Sequence, residues 1–245
     1  MKDLFSRQAG DYAQYRPGYP EELFPFLASL VPSRERAWDC GTGNGQFAAG
    51  LAPFFRQVRA TDISASQLSH APSLDNISYS CQPAEQTDFP GAHFDLVTVA
   101  QAIHWFDFGR FYAEVRRVAR PSAVLAVAGY NRVRVTDSVD RVVDRFYTET
   151  VGPYWDKERR YIDEGYQTIP FPFAELSAPV FSNTYQWTLH HLAGYLNTWS
   201  AVQHFTGAQG FNPVQSLLPA LEEAWGPEAE RTVTFPLLLR IGIIA

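Results

Sequence analysis

Short apolar runs alternate with longer mixed stretches from Arg36 to Ala128, and that rhythm predicts strand–helix–strand units. Residues 36–40 read as a strand running into a glycine loop, and 46–55 as a helix. Residues 58–62 read as a second strand, after which Ser64 caps a helix through His70. Strands are expected again at 77–81 and 94–100. The latter, FDLVTVA, is β-branched and nearly without polarity, as a strand buried on both faces must be. Asp107 caps a helix to Ala119 that Arg120-Pro121 closes, and 123–128 is a fifth strand. Strands joined through helices imply a parallel sheet, with right-handed crossovers placing helices on both faces.

Outside that stretch the rhythm changes. Residues 1–20 show no period, yet YAQYRPGYP is aromatic and proline-rich, which suits an N-terminal arm lying over the domain. A helix is expected over 21–30, with acidic residues in its first turn. Residues 131–175 read as a mostly helical insertion, a candidate substrate cap. Strand patterns return at 180–187 and 231–244, with helices near 190–204 and 214–225 between them. No repeat, low-complexity tract or linker divides the chain, so one domain over 1–245 is the expected organisation.

Composition narrows the function. The 245 residues carry a net charge of -6, which argues against a nucleic-acid partner, because neutralising phosphates needs a basic surface. Arg116, Arg117 and Arg120 cluster on one helix, where a solvated face is the simpler account. Aromatics make up 15%, which suits an organic-ligand pocket beside an ordinary core. Cys40 and Cys81 each sit in an apolar strand pattern, without a CxxC pair or a Cys/His cluster, so no metal site is expected. No secretory h-region or membrane-length apolar run is present, and a cytoplasmic protein without membrane attachment is the expectation.

The chemistry concentrates in AWDCGTGNGQF. Gly41, Gly43 and Gly45 fall where the first strand meets the first helix, letting a ligand approach the backbone. The dinucleotide fingerprint is GxGxxG, whereas here the spacing is GxGxG and Gln46 takes the third glycine's place. Asp39, two residues before Gly41, would repel a pyrophosphate and attract an ammonium group, directly or through water. Alternatively it caps the loop's own N–H groups. Asp62 ends the second strand about twenty residues later, where an acid can take both ribose hydroxyls, or cap the next helix.

In order along the chain, these residues resemble the class I S-adenosylmethionine-dependent methyltransferases. More narrowly they resemble the small-molecule, type 11 branch that includes trans-aconitate methyltransferase-like proteins. YAQYRPGYP is similar to the family's N-terminal arm, WDCGTGNGQ to its first motif and ATDIS to its ribose motif. QPAEQTDFP resembles the adenine motif, FDLVTVAQAIHWFD the fourth motif, and EVRRVARPSA the turn before strand five. YIDEGYQTIPFPF and YLNTWSAVQHF resemble substrate-side segments. The resemblance implies a doubly wound, Rossmann-like α/β fold. Its seven-stranded sheet is mostly parallel with the last strand antiparallel, and an N-terminal arm and helical cap complete it.

It also implies S-adenosylmethionine as cofactor, S-adenosylhomocysteine as product, and site roles. Asp39, Gly41 and Gly43 would hold the methionine end. Asp62 would hold the ribose, and Ile63 would pack on the adenine with Ala84 and Glu85 at its border. Ala100 and Gln101 would lie along the methionyl chain and sulfonium. Read from their place in the arm, Tyr12, Tyr15 and Arg16 are candidates to close the cofactor site, with an arm docked purely for stability as the alternative for Tyr15 and Arg16. RPSA replaces the family's Pro-Gly-Gly, so that turn must form with Ser122 and Ala123.

Methyl transfer from a sulfonium is an in-line displacement with a neutral leaving group, needing alignment, dryness and, for a protonated acceptor, a base. No metal is required. His104, after Ala100-Gln101, is the candidate base or orienting donor, or else a loop-shaping histidine. Arg132, Arg134, Lys157, Arg159 and Arg160 in the cap make an acidic small-molecule acceptor conceivable. Pairing with Asp156, Glu158, Asp163 or Glu164 at the surface is the simpler account of them. Two other readings stand beside the enzyme: a catalytically silent adenosylmethionine-binding protein acting through a partner, and an NAD(P)-dependent oxidoreductase, which GxGxG and Asp39 disfavour.

Overall fold

The computed structural model describes residues 15–244. Eight strands form one sheet: β1 (Arg36–Cys40), β2 (Gln57–Asp62), β3 (Ile77–Cys81), β4 (Phe94–Ala100), β5 (Ala119–Tyr130), β6 (Ala174–Glu175), β7 (Ser182–Trp187) and β8 (Arg231–Ile243). The order is β3-β2-β1-β4-β5-β8-β6, with β7 also pairing to β8. Pairs among β1 to β5 are parallel, and β8 runs antiparallel to β5, β6 and β7. The doubly wound sheet with an opposed last strand is therefore present. It has eight strands rather than seven because two separate strands, β6 and β7, pair with β8.

Strand pleating explains the layers. Trp38 and Cys40 of β1 and Leu125 and Val127 of β5 join one core cluster, with Phe111, Val115 and Val118 of the helix Phe108–Val118. Their neighbours Ala37, Val124, Ala126 and Ala128 face the opposite cluster, with Leu23 and Leu27 of one helix and Phe47 and Leu51 of another. Both faces of the central strands are thus covered, which is why their sequence lacks polar alternation. A third cluster gathers Tyr130, Val139, Val143, Leu192, Leu196, Leu221, Val233 and Phe235 above the sheet. Among the described residues no helix is long and apolar enough to cross a membrane.

Several boundaries differ from the sequence expectation. The helix after the glycine loop stops at Leu51, and the one after Asp107 stops at Val118. There β5 already begins, and Arg120 reaches Asp95 Oδ1 at 2.8 Å. Between the pairs Phe94–Ala119 and Leu96–Val124 the register shifts, and Ser122 takes φ +64° in the extra segment. Residues 131–175 are less helical than expected: a helix spans Asp137–Arg145, a π-turn Phe146–Thr150 and a short helix Arg160–Asp163. Repeated aromatics and the Gly152-Pro153 pair break the helical ladder there. The expected helix near 190–204 is two, Leu189–Asn197 and Ser200–Gln209. Cys40 is buried as expected, but Cys81 is exposed, because β3 is an edge strand.

Candidate functional site

The chain steps one way from β1 to β2 and β3, and the other way to β4 and β5. Open α/β sheets form a crevice at that reversal, beyond the strands' carboxyl ends. A cleft opens there, between the glycine loop, the arm and the third cluster. Gly41, Thr42, Gly43 and Asn44 form its floor, with Asp62, Ile63, Ser64 and Gln67 to one side and Ala100 and Gln101 to the other.

The loop's shape depends on left-handed backbone. Gly41 has φ +67°, and a β-carbon there would lie 2.7 Å from that of Ala102. Gly43 has φ +57°, and a β-carbon would meet nothing within 4 Å, so its bare backbone faces open space. The Gly43 N–H donates to Asp62 Oδ2 at 2.9 Å, and the Ser64 N–H to Asp62 Oδ1 at 2.9 Å. Asp62 thereby ties the β1 loop to the β2 end while lining the cleft.

Asp39 does not line the cleft. It is fully buried, with Thr42 Oγ1 donating to Oδ2 at 2.5 Å and Thr98 Oγ1 donating to Oδ1 at 2.8 Å. Burial outweighs those hydroxyls and lifts its pKa to about 6. The side chain fixes the loop from below, which is the capping alternative. Ala84 is buried in the core cluster, and Glu85 Oε1 accepts from the Asp107 N–H at 3.1 Å, so both stand outside the cleft lining.

From the arm, Arg16 reaches the cleft and Tyr15 does not. Arg16 donates to Thr198 Oγ1 at 2.9 Å, to the Thr198 carbonyl at 3.1 Å and to Tyr130 Oη at 3.3 Å. Tyr15 packs edge-on to His191, with ring centres 5.2 Å apart. Tyr12 lies outside the described residues.

His104 sits in a 3₁₀ turn, Ile103–Trp105, after β4. It lines the cleft, is only 6% exposed, and its Nδ1 is buried without a hydrogen-bond partner among the described residues. Burial, then the nearby Arg159 charge, lower its pKa to about 3, so the imidazole is neutral at physiological pH. Gln101 beside it adopts φ +53°; its Nε2 donates to the Tyr130 carbonyl at 3.1 Å, and its Oε1 accepts from Tyr166 Oη at 3.4 Å.

Sequence reasoning missed part of the lining. Trp155, Asp156, Ile162 and Ser200 come from the segments above the sheet, Tyr19 from the arm and Gln46 from the first turn of the helix after the loop. The aromatic density of 131–175 and the two segments that resemble the family's substrate side, which hold Ile162 and Ser200, signalled the first group. Among the described residues no three His, Cys, Asp or Glu side chains converge as metal ligands would.

Comparisons with known proteins agree with this geometry. The methyltransferase domain family matches residues 38–127, which run from β1 into β5. A protein of Dictyostelium discoideum assigned as a methyltransferase is 32% identical over 245 residues, covering 97% of this chain and 93% of that one. The solved structure of a type II methyltransferase from Anaeromyxobacter dehalogenans is 44% identical with a TM-score of 0.87, covering 94% and 98% of the two chains. A phosphoethanolamine N-methyltransferase of Haemonchus contortus, solved with S-adenosylhomocysteine, shares the fold at 16% identity and a TM-score of 0.50, covering 98% of this chain and 57% of that one. The Asp62 carboxylate, the open backbone at Gly43 and the apolar Ile63 side chain line one cleft, a mixed lining whose chemistry suits a nucleoside. The chain belongs to the class I S-adenosylmethionine-dependent methyltransferases.

Proposed function

We propose that this enzyme methylates a small, anionic molecule held beneath the segments that roof the cleft, without a metal ion. The observation that carries the reading is the cleft itself. Its floor carries the cofactor-type features, and its roof carries Trp155, Ile162 and Arg159 around a neutral His104. When bound, S-adenosylmethionine supplies an electrophilic methyl group and a neutral thioether leaving group, so in-line displacement needs no general acid.

The chain's own residues then have four tasks. The Gly41–Gly43 backbone and Asp62 hold the donor's polar groups, and Ile63 packs against its base. Ala100 and Gln101 line the path to the acceptor. Trp155, Trp105 and Ile162 exclude water, which strengthens every polar contact inside. His104, unprotonated and unpartnered at Nδ1, hydrogen-bonds the acceptor and orients its nucleophile. As a base it is weak because burial, and then the nearby Arg159 charge, disfavour its protonated form, so orientation is its first role. Asp39 and Arg16 act indirectly, the one fixing the loop and the other bracing the arm against Thr198.

Transfer of an isotopically labelled methyl group from S-adenosylmethionine to a panel of small molecules tests this directly. Labelled product should form equally with and without excess EDTA. Activity abolished by chelation and restored by a metal would refute the metal-free mechanism. Label appearing only in protein or nucleic acid would refute the small-molecule acceptor.

A further inference from the structure

Most cations of residues 131–175 are neutralised or face solvent. Arg132 and Arg134 reach Asp144 at 2.7 and 3.0 Å, while Lys157 and Arg160 are exposed. Arg159 is the exception. It lines the cleft, and its side chain is only 17% exposed. Its Nε donates to Tyr147 Oη at 3.0 Å, and Tyr147 in turn donates to the Asp163 carboxylate at 2.7 Å. The guanidinium carbon lies 4.8 Å over the Trp155 ring. One contact fixes the rotation of the fork and the other its plane. Nη1 and Nη2 hydrogen-bond no described residue. A guanidinium anchored at Nε, with both terminal N–H groups open, is one half of a bidentate carboxylate site.

The surroundings point the same way. The His104 ring is on the same cleft wall, with its buried Nδ1 unpartnered. Asp163 is 3.7 Å from Nε, beyond hydrogen-bond reach, so it only partly offsets the guanidinium charge. A sulfonium donor would add a third cation to a cleft that Arg16 and Arg159 already line beside the carboxylates of Asp62 and Asp156, and a buried charge is costly unless compensated. An anionic acceptor compensates the charge at the Arg159 end.

We propose that the acceptor carries a carboxylate, gripped through Nη1 and Nη2 of Arg159, with its apolar part against Trp155 and Ile162 and its nucleophile turned toward His104. The proposal rests on the methyl-transfer reading of the cleft and narrows its substrate class.

Calorimetry on the whole protein, preloaded with S-adenosylhomocysteine, separates the two. The probes are matched sets: benzoate, cinnamate and hexanoate, each with its amide. At least one carboxylate should bind ten-fold or more tighter than its amide. Arg159→Gln should abolish that preference, and Arg159→Lys, which keeps the charge but not the fork, should lose part of it. Both variants should hold S-adenosylhomocysteine within two-fold of wild type, which also certifies their folding. No carboxylate exceeding its amide, or a preference that survives in Arg159→Gln, overturns the inference while leaving the enzyme class intact. Wild-type protein that fails to bind S-adenosylhomocysteine overturns both.

Discussion

His104 and Asp39 are buried titratable groups that burial moves in opposite directions. The folded pKa of His104, about 3, lies below its ordinary 6.5. The unfolded chain therefore takes up a proton that the folded protein refuses. Its contribution to stability is complete above pH 6.5 and is lost as pH falls from there toward 3, with a slope approaching about 1.4 kcal/mol per pH unit. Asp39, raised from 3.8 to about 6, behaves in reverse: its contribution is lost as pH rises through that window. The two oppose each other over the shared range. His104→Asn removes the first alone. Urea melts at pH 7 and pH 5 should show the variant gaining on wild type by about 1–2 kcal/mol at the lower pH; a constant gap would mean that His104 protonates freely in the fold. The same variant should lower turnover far more than affinity for S-adenosylhomocysteine, and equal losses would assign His104 to scaffolding. Asp62→Ala should weaken that affinity by about 1–3 kcal/mol through a lost charge-assisted contact. Unchanged affinity would leave Asp62 only its bonds to Gly43 and Ser64.

At the scale of elements, the turn into β5 carries its own test. The chain reads RPSA there, and Ser122 adopts φ +64°, a conformation that glycine takes without strain. Ser122→Gly should therefore raise stability by roughly 0.5–1 kcal/mol, net of the extra freedom glycine gives the unfolded chain. The readout is a higher urea midpoint at unchanged m-value; a lower midpoint would show that the serine side chain contributes more than its backbone costs. Elements with a regular period were legible from sequence. β1 and β4 fall where the sequence pattern puts them, because strands buried on both faces are mostly apolar, and the polar side chains they do bury, Asp39 and Thr98, hydrogen-bond each other. The segment 131–175 was not legible in the same way. Its helix breaks into a π-turn and short turns where Tyr147, Trp155 and Trp199 rings pack together, a tertiary demand that local propensity does not record.

For the molecule as a whole, ligand linkage gives the broadest check. A ligand at a hundred times its Kd stabilises the folded state by about 2.7 kcal/mol, which raises the Tm of a domain this size by several degrees. S-adenosylhomocysteine should do so and NADH should not; the opposite ranking would contradict the floor of the cleft as described. What the sequence determined alone is the backbone frame of that floor: the parallel strands, the left-handed glycines at 41, 43 and 45, and the acid closing β2. These follow from short-range rules, since pleat, glycine freedom and strand length act within a few residues. Tertiary structure decided the rest. Asp39 faces Thr98 of β4 rather than the cleft, because β4 lies directly beside β1 in the sheet. Arg159 comes to line the cleft with its Nε bonded to Tyr147 and its guanidinium over Trp155. Such choices depend on which distant surfaces meet, and charge pattern along a chain does not encode which of five cations will be left facing the ligand.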